Sequence, residues 1–232
     1  MNTPSTLLHA LALSAALALP AAHAADATYT DEATFVAAIL GGPGVPIIEG
    51  FESLTASLRG LAPLSTPWFT LSSADTPMGV QDGSNSPENG YGSYATEGTQ
   101  YLSVYRTGGL PQGTLQFDMN TPGHLFGFSI TDVGEVEGTV HLRTDSGAYA
   151  GGVDVAVFPP VFGNGQQFFF GLTQDTPFTQ VWLTVNGVDE AYGLDKLYVT
   201  LTPVPEPAAA WLLLAGGAAL ALRRRRKASA AR

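Results

Sequence analysis

No cysteine occurs anywhere in the 232 residues. That excludes disulfides, thiolate metal sites and cysteine nucleophiles, so a folded domain here must be held by its core or by a bound ion. Positive charge is nearly as scarce over most of the chain. Six of the ten lysines and arginines lie at Arg223 or beyond. Between Ala25 and Pro203 only Arg59, Arg106, Arg143 and Lys196 stand against 19 acids, a net charge of −15 for that stretch. Such a surface repels nucleic acid and anionic lipid. It suits divalent cations and neutral or cationic glycans, so no nucleic-acid partner is expected.

Catalytic signatures are missing too. The chain has no G-x-S-x-G elbow, no H-E-x-x-H and no P-loop. Between the two ends only His124 and His141 remain, and His141 alternates with Val140 and Leu142, which points it to solvent. A carboxylate pair could serve a glycosidase, but 19 acids select no pair. The groups Asp132, Glu135, Glu137 and Asp189, Glu190, Asp195 read as turn chemistry and solubility. Asp82 to Ser86 superficially resembles a calcium loop, yet Pro87 stands where such a loop needs glycine and Ser93 where it needs glutamate. The expectation is a non-catalytic protein, with a carbohydrate-active hydrolase or lyase on a β-sandwich scaffold as the alternative.

What is abundant is glycine (27) and proline (16), within a chain that is 45% hydrophobic. Together they favour many turns and an all-β fold. Met1 to Ala24 reads as a secretory signal peptide: Leu7 to Leu19 is apolar, Pro20 breaks the run, and Ala22-His23-Ala24 offers a signal-peptidase site. No Lys or Arg precedes the apolar region. Thr30 to Leu40 predicts one short helix, with Thr30 as N-cap, Phe35, Val36, Ile39 and Leu40 at helical spacing, and Gly41-Gly42-Pro43-Gly44 as its end.

Strands are predicted at 46–51, 68–72, 100–106, 114–119, 125–131, 139–144, 153–158, 167–172, 179–186 and 194–201. In one of them Val181, Leu183 and Val185 oppose Trp182, Thr184 and Asn186. About ten short strands joined by turns imply a two-sheet antiparallel sandwich, jelly-roll-like, over residues 25–203. Trp68, Trp182 and Phe168 to Phe170 are expected in its core. The polar, Gly-rich stretch Asp82 to Tyr94 reads as a surface loop. Its Tyr91 and Tyr94 are the candidates for stacking on sugar rings.

The tail, 204–232, is ordered differently. Pro205-Glu206-Pro207 is followed by 15 uncharged residues, Ala208 to Leu222, then by Arg223, Arg224, Arg225, Arg226 and Lys227. Two prolines keep the triplet extended and accessible. The apolar run gives about 22 Å of helix, short of the roughly 30 Å of a bilayer core, and the basic block stops transfer. This triple resembles the PEP-CTERM sorting signal of exported bacterial proteins. The resemblance implies processing near Pro205-Glu206-Pro207 by exosortase. It also implies a precursor held transiently in the inner membrane, and delivery to the cell surface or to an extracellular polysaccharide matrix.

A second resemblance lies upstream. Glu49-Gly50-Phe51-Glu52, Gly98-Thr99-Gln100-Tyr101-Leu102, Phe126 to Asp132 and Phe169 to Leu172 look like the ectodomains common among PEP-CTERM proteins. Tyr192 to Val199 is similar to the last strand of jelly-roll, carbohydrate-binding-like domains. That resemblance implies an acid of the first strand near the aspartate of the last, sometimes sharing a structural Ca²⁺. The matching positions are Glu49 or Glu52 and Asp195. Lys196 departs from the small or acidic residue of that pattern, and its ammonium could pair with a carboxylate in place of the ion.

Overall fold

The computed structural model describes residues 26–40, 45–83, 93–105, 113–133, 138–158, 165–186 and 191–201. The stretch expected to be a signal peptide, Tyr91 and the whole tail lie outside them. Eleven strands and one helix follow in the order β1 (Ala27–Tyr29), α1 (Glu32–Leu40), β2 (Val45–Glu49), β3 (Leu64–Ser65), β4 (Phe69–Ser72), β5 (Met78–Asp82), β6 (Gln100–Tyr105), β7 (Gly113–Thr131), β8 (Gly138–Thr144), β9 (Val153–Phe158), β10 (Gln167–Asn186) and β11 (Ala191–Leu201). Every pairing is antiparallel. Among the described residues no helix is long and apolar enough to cross a membrane.

The architecture follows from two very long strands. The predicted strands 114–119 and 125–131 are one strand, β7, and the predicted strands 167–172 and 179–186 are one strand, β10. They pair with each other along their length, with register shifts between Thr173 and Gln180. Nine positions of straight strand span about 30 Å, yet the rings of Phe117 and Phe126 lie 5.0 Å apart. The β7–β10 pair therefore folds back on itself. Its first limb carries β3, β4, β8 and β9, and its second carries β1, β2, β5, β6 and β11. The two layers of the expected sandwich are thus one hydrogen-bonded sheet doubled over. Between them lies the main core, with Phe69, Phe117, Phe126, Phe128, Leu183 and Leu194 fully buried.

The corner is held by polar groups. Gln174 is fully buried; its amide donates to the carbonyls of Ser146 and Thr176 and accepts from the Thr144 hydroxyl. His124 Nδ1 meets the Gln174 carbonyl at 3.1 Å. A buried amide that satisfies both its ends in this way specifies one bend geometry.

The limbs differ in what covers their outer faces. In the second limb, β7 is buried on both sides, because α1 lies on the outside. Gly127 and Gly171 are partners across the β7–β10 pair, flanked in register by Tyr198 and Tyr29. Phe35 of α1 sits in the resulting gap, 5.3 to 5.5 Å from the rings of Tyr29, Phe169 and Tyr198. The helix is capped by Asp31, not Thr30: its carboxylate accepts from the Thr34 amide at 2.8 Å and from the Thr34 hydroxyl. A carboxylate serves this position better because it also complements the helix dipole.

In the first limb no described residue covers the outer face in this way, and burial alternates along β7 and β10. That corrects the placement of Trp182. It is half-buried on the outer face with Thr184 and Asn186, while Val181, Leu183 and Val185 enter the core. Trp68 is also only partly buried, packed against the core margin. Of the Phe168 to Phe170 run, Phe169 and Phe170 are buried and Phe168 is half-buried. Strands β1, β3 and β5 were not predicted. The first two are too short to show an alternation, and Met78 to Asp82 is buried at three successive positions.

Candidate functional site

The uncovered face of the first limb presents registered polar rows. Ser72, Gln116, Trp182 and Arg143 lie side by side across β4, β7, β10 and β8. A neighbouring row carries Thr70, Asp118 and Gln180, and another Thr114, Thr184, His141 and Asp154. Strand alternation alone puts these residues on one surface.

Hydrogen bonds tie the rows into one sheet of fixed side chains. Asp118 Oδ1 accepts from the Gln116 amide at 2.9 Å and the Gln180 amide at 2.7 Å. The Trp182 indole N–H donates to Gln116 Oε1 at 3.1 Å, and the hydroxyls of Thr114 and Thr184 meet at 2.9 Å. His141 Nδ1 pairs with Asp154 at 2.8 Å. The guanidinium of Arg143 lies 3.9 Å from the Trp182 ring centroid, a cation–π stack. It is exposed and makes no hydrogen bond or ion pair to a described residue. A hollow of about 420 Å³ opens here, lined by Ser72, Ser73, Asp75, Thr114, Gln116 and Trp182. An aromatic edge among fixed amide, hydroxyl, carboxylate and guanidinium groups matches a flat ligand with many hydroxyls.

A second depression, of about 430 Å³, lies where β2 meets the β3–β4 turn. It is lined by Ile48, Glu49, Glu52, Pro67, Trp68 and Glu97. The three carboxylates singled out for calcium sit around it or beside it. A Cβ on Gly50 would stand 3.7 Å from Asp195 Oδ1 and 3.9 Å from Glu52 Cγ. Asp195 is 1% exposed. Its Oδ2 accepts from the amides of Thr96 and Glu97 and from the Thr96 hydroxyl, and its Oδ1 from the Lys196 amide. Burial pushes its pKa up against these bonds. Glu52 accepts from the amides of Thr99 and Gln100 and from the Thr99 hydroxyl, and the Gln100 bond leads in holding its pKa down. Glu49 accepts from the Phe51 amide at 2.7 Å, and burial pushes it up.

These contacts give the calcium expectation its fit test. Calcium needs six to eight oxygens with free lone pairs. Asp195 and Glu52 turn theirs toward N–H and O–H donors, and among the described residues no three carboxylate or imidazole groups could hold an ion together. In this arrangement both acids pin the 96–100 segment to the sheet. Lys196 stands at the same corner in a left-handed conformation (φ 49°) within a β11 bulge. Its ammonium reaches Glu32 at 3.1 Å and Glu97 at 3.9 Å. The Tyr198 hydroxyl also donates to Glu32, and burial, then that bond, raises its pKa.

Of the two tyrosines proposed for sugar stacking, Tyr91 lies outside the described residues. Tyr94 is half-buried, its amide and carbonyl bonded to the Thr131 hydroxyl. Burial and the nearby Asp132 raise its phenol pKa. The sorting residues Pro205, Glu206, Pro207 and Arg223 to Arg226 are also outside the described residues.

Residues 203–227 match the PEP-CTERM protein-sorting motif. The chain therefore carries an export-linked sorting signal at its C-terminus. It matches no curated protein in sequence. In structure it is similar to the K2 cleaved adhesin domain of Lys-gingipain (16% identity, 68% of this chain and 100% of that one, TM-score 0.40). It is also similar to the xylan-binding domain from CBM 22 (13%, 68% and 96%, 0.41) and to CBM29_1, a family 29 carbohydrate-binding module from Piromyces equi (10%, 70% and 95%, 0.38). At these identities and scores the likeness carries nothing about a ligand.

Proposed function

We propose that this is an exported, non-catalytic glycan-binding protein, processed by exosortase at its tail and delivered to the cell surface or polysaccharide matrix. The ligand lies along the uncovered outer face of the first limb. The observation that carries the reading is the fixed row Ser72–Gln116–Trp182–Arg143, with Asp118 and Gln180 beside it. Gln116, Trp182, Asp118 and Gln180 are hydrogen-bonded to one another before any ligand arrives, so little of their side-chain entropy is lost on binding. The surface carries donors (Arg143, Trp182), an acceptor (Asp118) and groups that do both (Ser72, Gln116, Gln180), as ring hydroxyls require. The charge of the exported stretch favours neutral glycans over acidic ones.

The sorting motif supplies the location at which such a surface meets polysaccharide. Binding of the purified full-length chain to a panel of immobilised neutral polysaccharides tests the reading, with Trp182→Ala as the site variant. Retention of wild type and loss by the variant are expected. No retention on any neutral polysaccharide overturns it.

A further inference from the structure

Resting on the glycan reading, we infer that the ligand of the Trp182 face is a neutral chain bearing an isolated carboxylate, a uronic-acid unit or another carboxylate-bearing substituent, and that Arg143 reads it. The exported stretch has few cations, and their partners differ. Arg59 gives two nitrogens to the Ser103 hydroxyl and packs on the Tyr105 ring. Lys196 reaches Glu32 and Glu97. Arg143 is exposed and stacks on Trp182, with no hydrogen bond or ion pair to a described residue.

Acids are at hand, but they turn to other donors. Asp145, two positions along the chain, gives one oxygen to the Thr179 amide and the other to the Thr179 hydroxyl. Asp154, on the neighbouring strand β9, pairs with His141. Asp118, in the adjoining row, accepts from Gln116 and Gln180. A guanidinium among acids that are engaged elsewhere keeps its charge for a partner outside the chain.

The stack decides which donors stay open. An indole attracts a guanidinium through its face, so the N–H groups, which lie in the guanidinium plane, remain free at its edge. Two of them in parallel match the two oxygens of a carboxylate. At 3.9 Å from the ring centroid, the fork is placed before the ligand arrives. Arg143 ends the row Ser72–Gln116–Trp182–Arg143. It stands one strand spacing, about 5 Å, beyond the Trp182 that lines the hollow. Neutral units in the hollow therefore bring a substituent of the neighbouring unit to the guanidinium. The net charge of −15 limits how many acids the chain can carry. Distant charges are screened beyond about 8 Å and a contact pair is not. One carboxylate at Arg143 is held, while a chain with an acid on every unit is repelled by the remaining surface.

The probes are oligosaccharides of the best-retained neutral hexose polysaccharide, the same oligosaccharides with a single primary hydroxyl per chain oxidised to carboxylate, and the fully oxidised chains. Each is titrated calorimetrically against the full-length protein. The singly oxidised form should bind about fivefold more tightly than the neutral one, with a gain that shrinks as salt rises. The fully oxidised chain should bind less tightly than the singly oxidised one. Arg143→Gln, an exposed change with little bearing on folding, should bind the neutral and singly oxidised forms alike. Arg143→Lys, which keeps the charge without the fork, should keep only part of the preference. Equal affinity of wild type for the neutral and singly oxidised chains overturns the inference and leaves the neutral-glycan reading standing. A preference that survives in Arg143→Gln, or tightest binding of the fully oxidised chain, overturns it too. Binding of none of the three overturns both.

Discussion

Replacing Gly171 by alanine puts the doubled-sheet account under direct load. Gly171 lies in ordinary extended strand, so the substitution carries no penalty from backbone conformation. The cost comes from space. A Cβ there would stand 2.7 and 2.8 Å from two ring carbons of Phe35 and 3.1 Å from a third. Phe35 is fully buried and cannot retreat, because the rings of Tyr29, Phe169 and Tyr198 surround it. Overpacking of this kind costs about 2 kcal/mol, which for a domain of this size lowers Tm by roughly 4 to 8 °C. Circular dichroism melting of the full-length chain measures it. Gly151→Ala is the control, since a Cβ there meets nothing within 4 Å. Combining Gly171→Ala with Phe35→Leu should be less damaging than the sum of the two, by about 1 kcal/mol. A Gly171→Ala protein that melts at or above the wild-type temperature would refute the packing of α1 on the paired glycines.

Three further outcomes follow from the carboxylate corner and the bend. Asp195→Asn turns an amide N–H₂ toward donors that now meet a carboxylate oxygen. It should cost about 2 kcal/mol and lower the melting temperature without altering retention on neutral glycans. Glu52 is held below the ordinary carboxylate value, so its contribution is complete above the unfolded pKa and is lost as pH falls through the folded one. Hydrogen exchange should then show the Thr99 and Gln100 amides keeping protection through the ordinary glutamate range, about 4.3, and losing it only at lower pH, and in Glu52→Ala, which removes the acceptor, they should be poorly protected at neutral pH. The donors on Asp195 and Glu52 predict the same melting temperature in excess Ca²⁺ and in EDTA; a rise with Ca²⁺ would show that the corner rearranges to take the ion.

The strand residues and the tail were legible in the sequence because their signals are local. Alternation in Val181 to Asn186 and the ordered tail need no knowledge of distant contacts. Joining 114–119 to 125–131 did, because the intervening MNTPGH segment reads as a turn and becomes a corner only through Gln174 and His124. The Trp182 face was within reach of the same alternation that was read correctly, but the apolar character of the strand argued for the core and outweighed it. The Phe35 socket was not legible: Gly127 and Gly171 are 44 positions apart and gain meaning only as register partners. The corner of Glu49, Glu52 and Asp195 was located by resemblance, but its partners, amides of a segment some 45 to 100 positions away, were not.

The central claim is that the outer face of the first limb holds a neutral glycan, and calorimetric titration of wild type and Trp182→Ala with the best-retained polysaccharide tests it most directly. Losing an aromatic anchor of this kind costs about 2 kcal/mol, or roughly 30-fold in affinity, and since Trp182 is half-buried on the outer face the two proteins should melt within a few degrees of each other. Equal affinity in the two proteins would contradict the account.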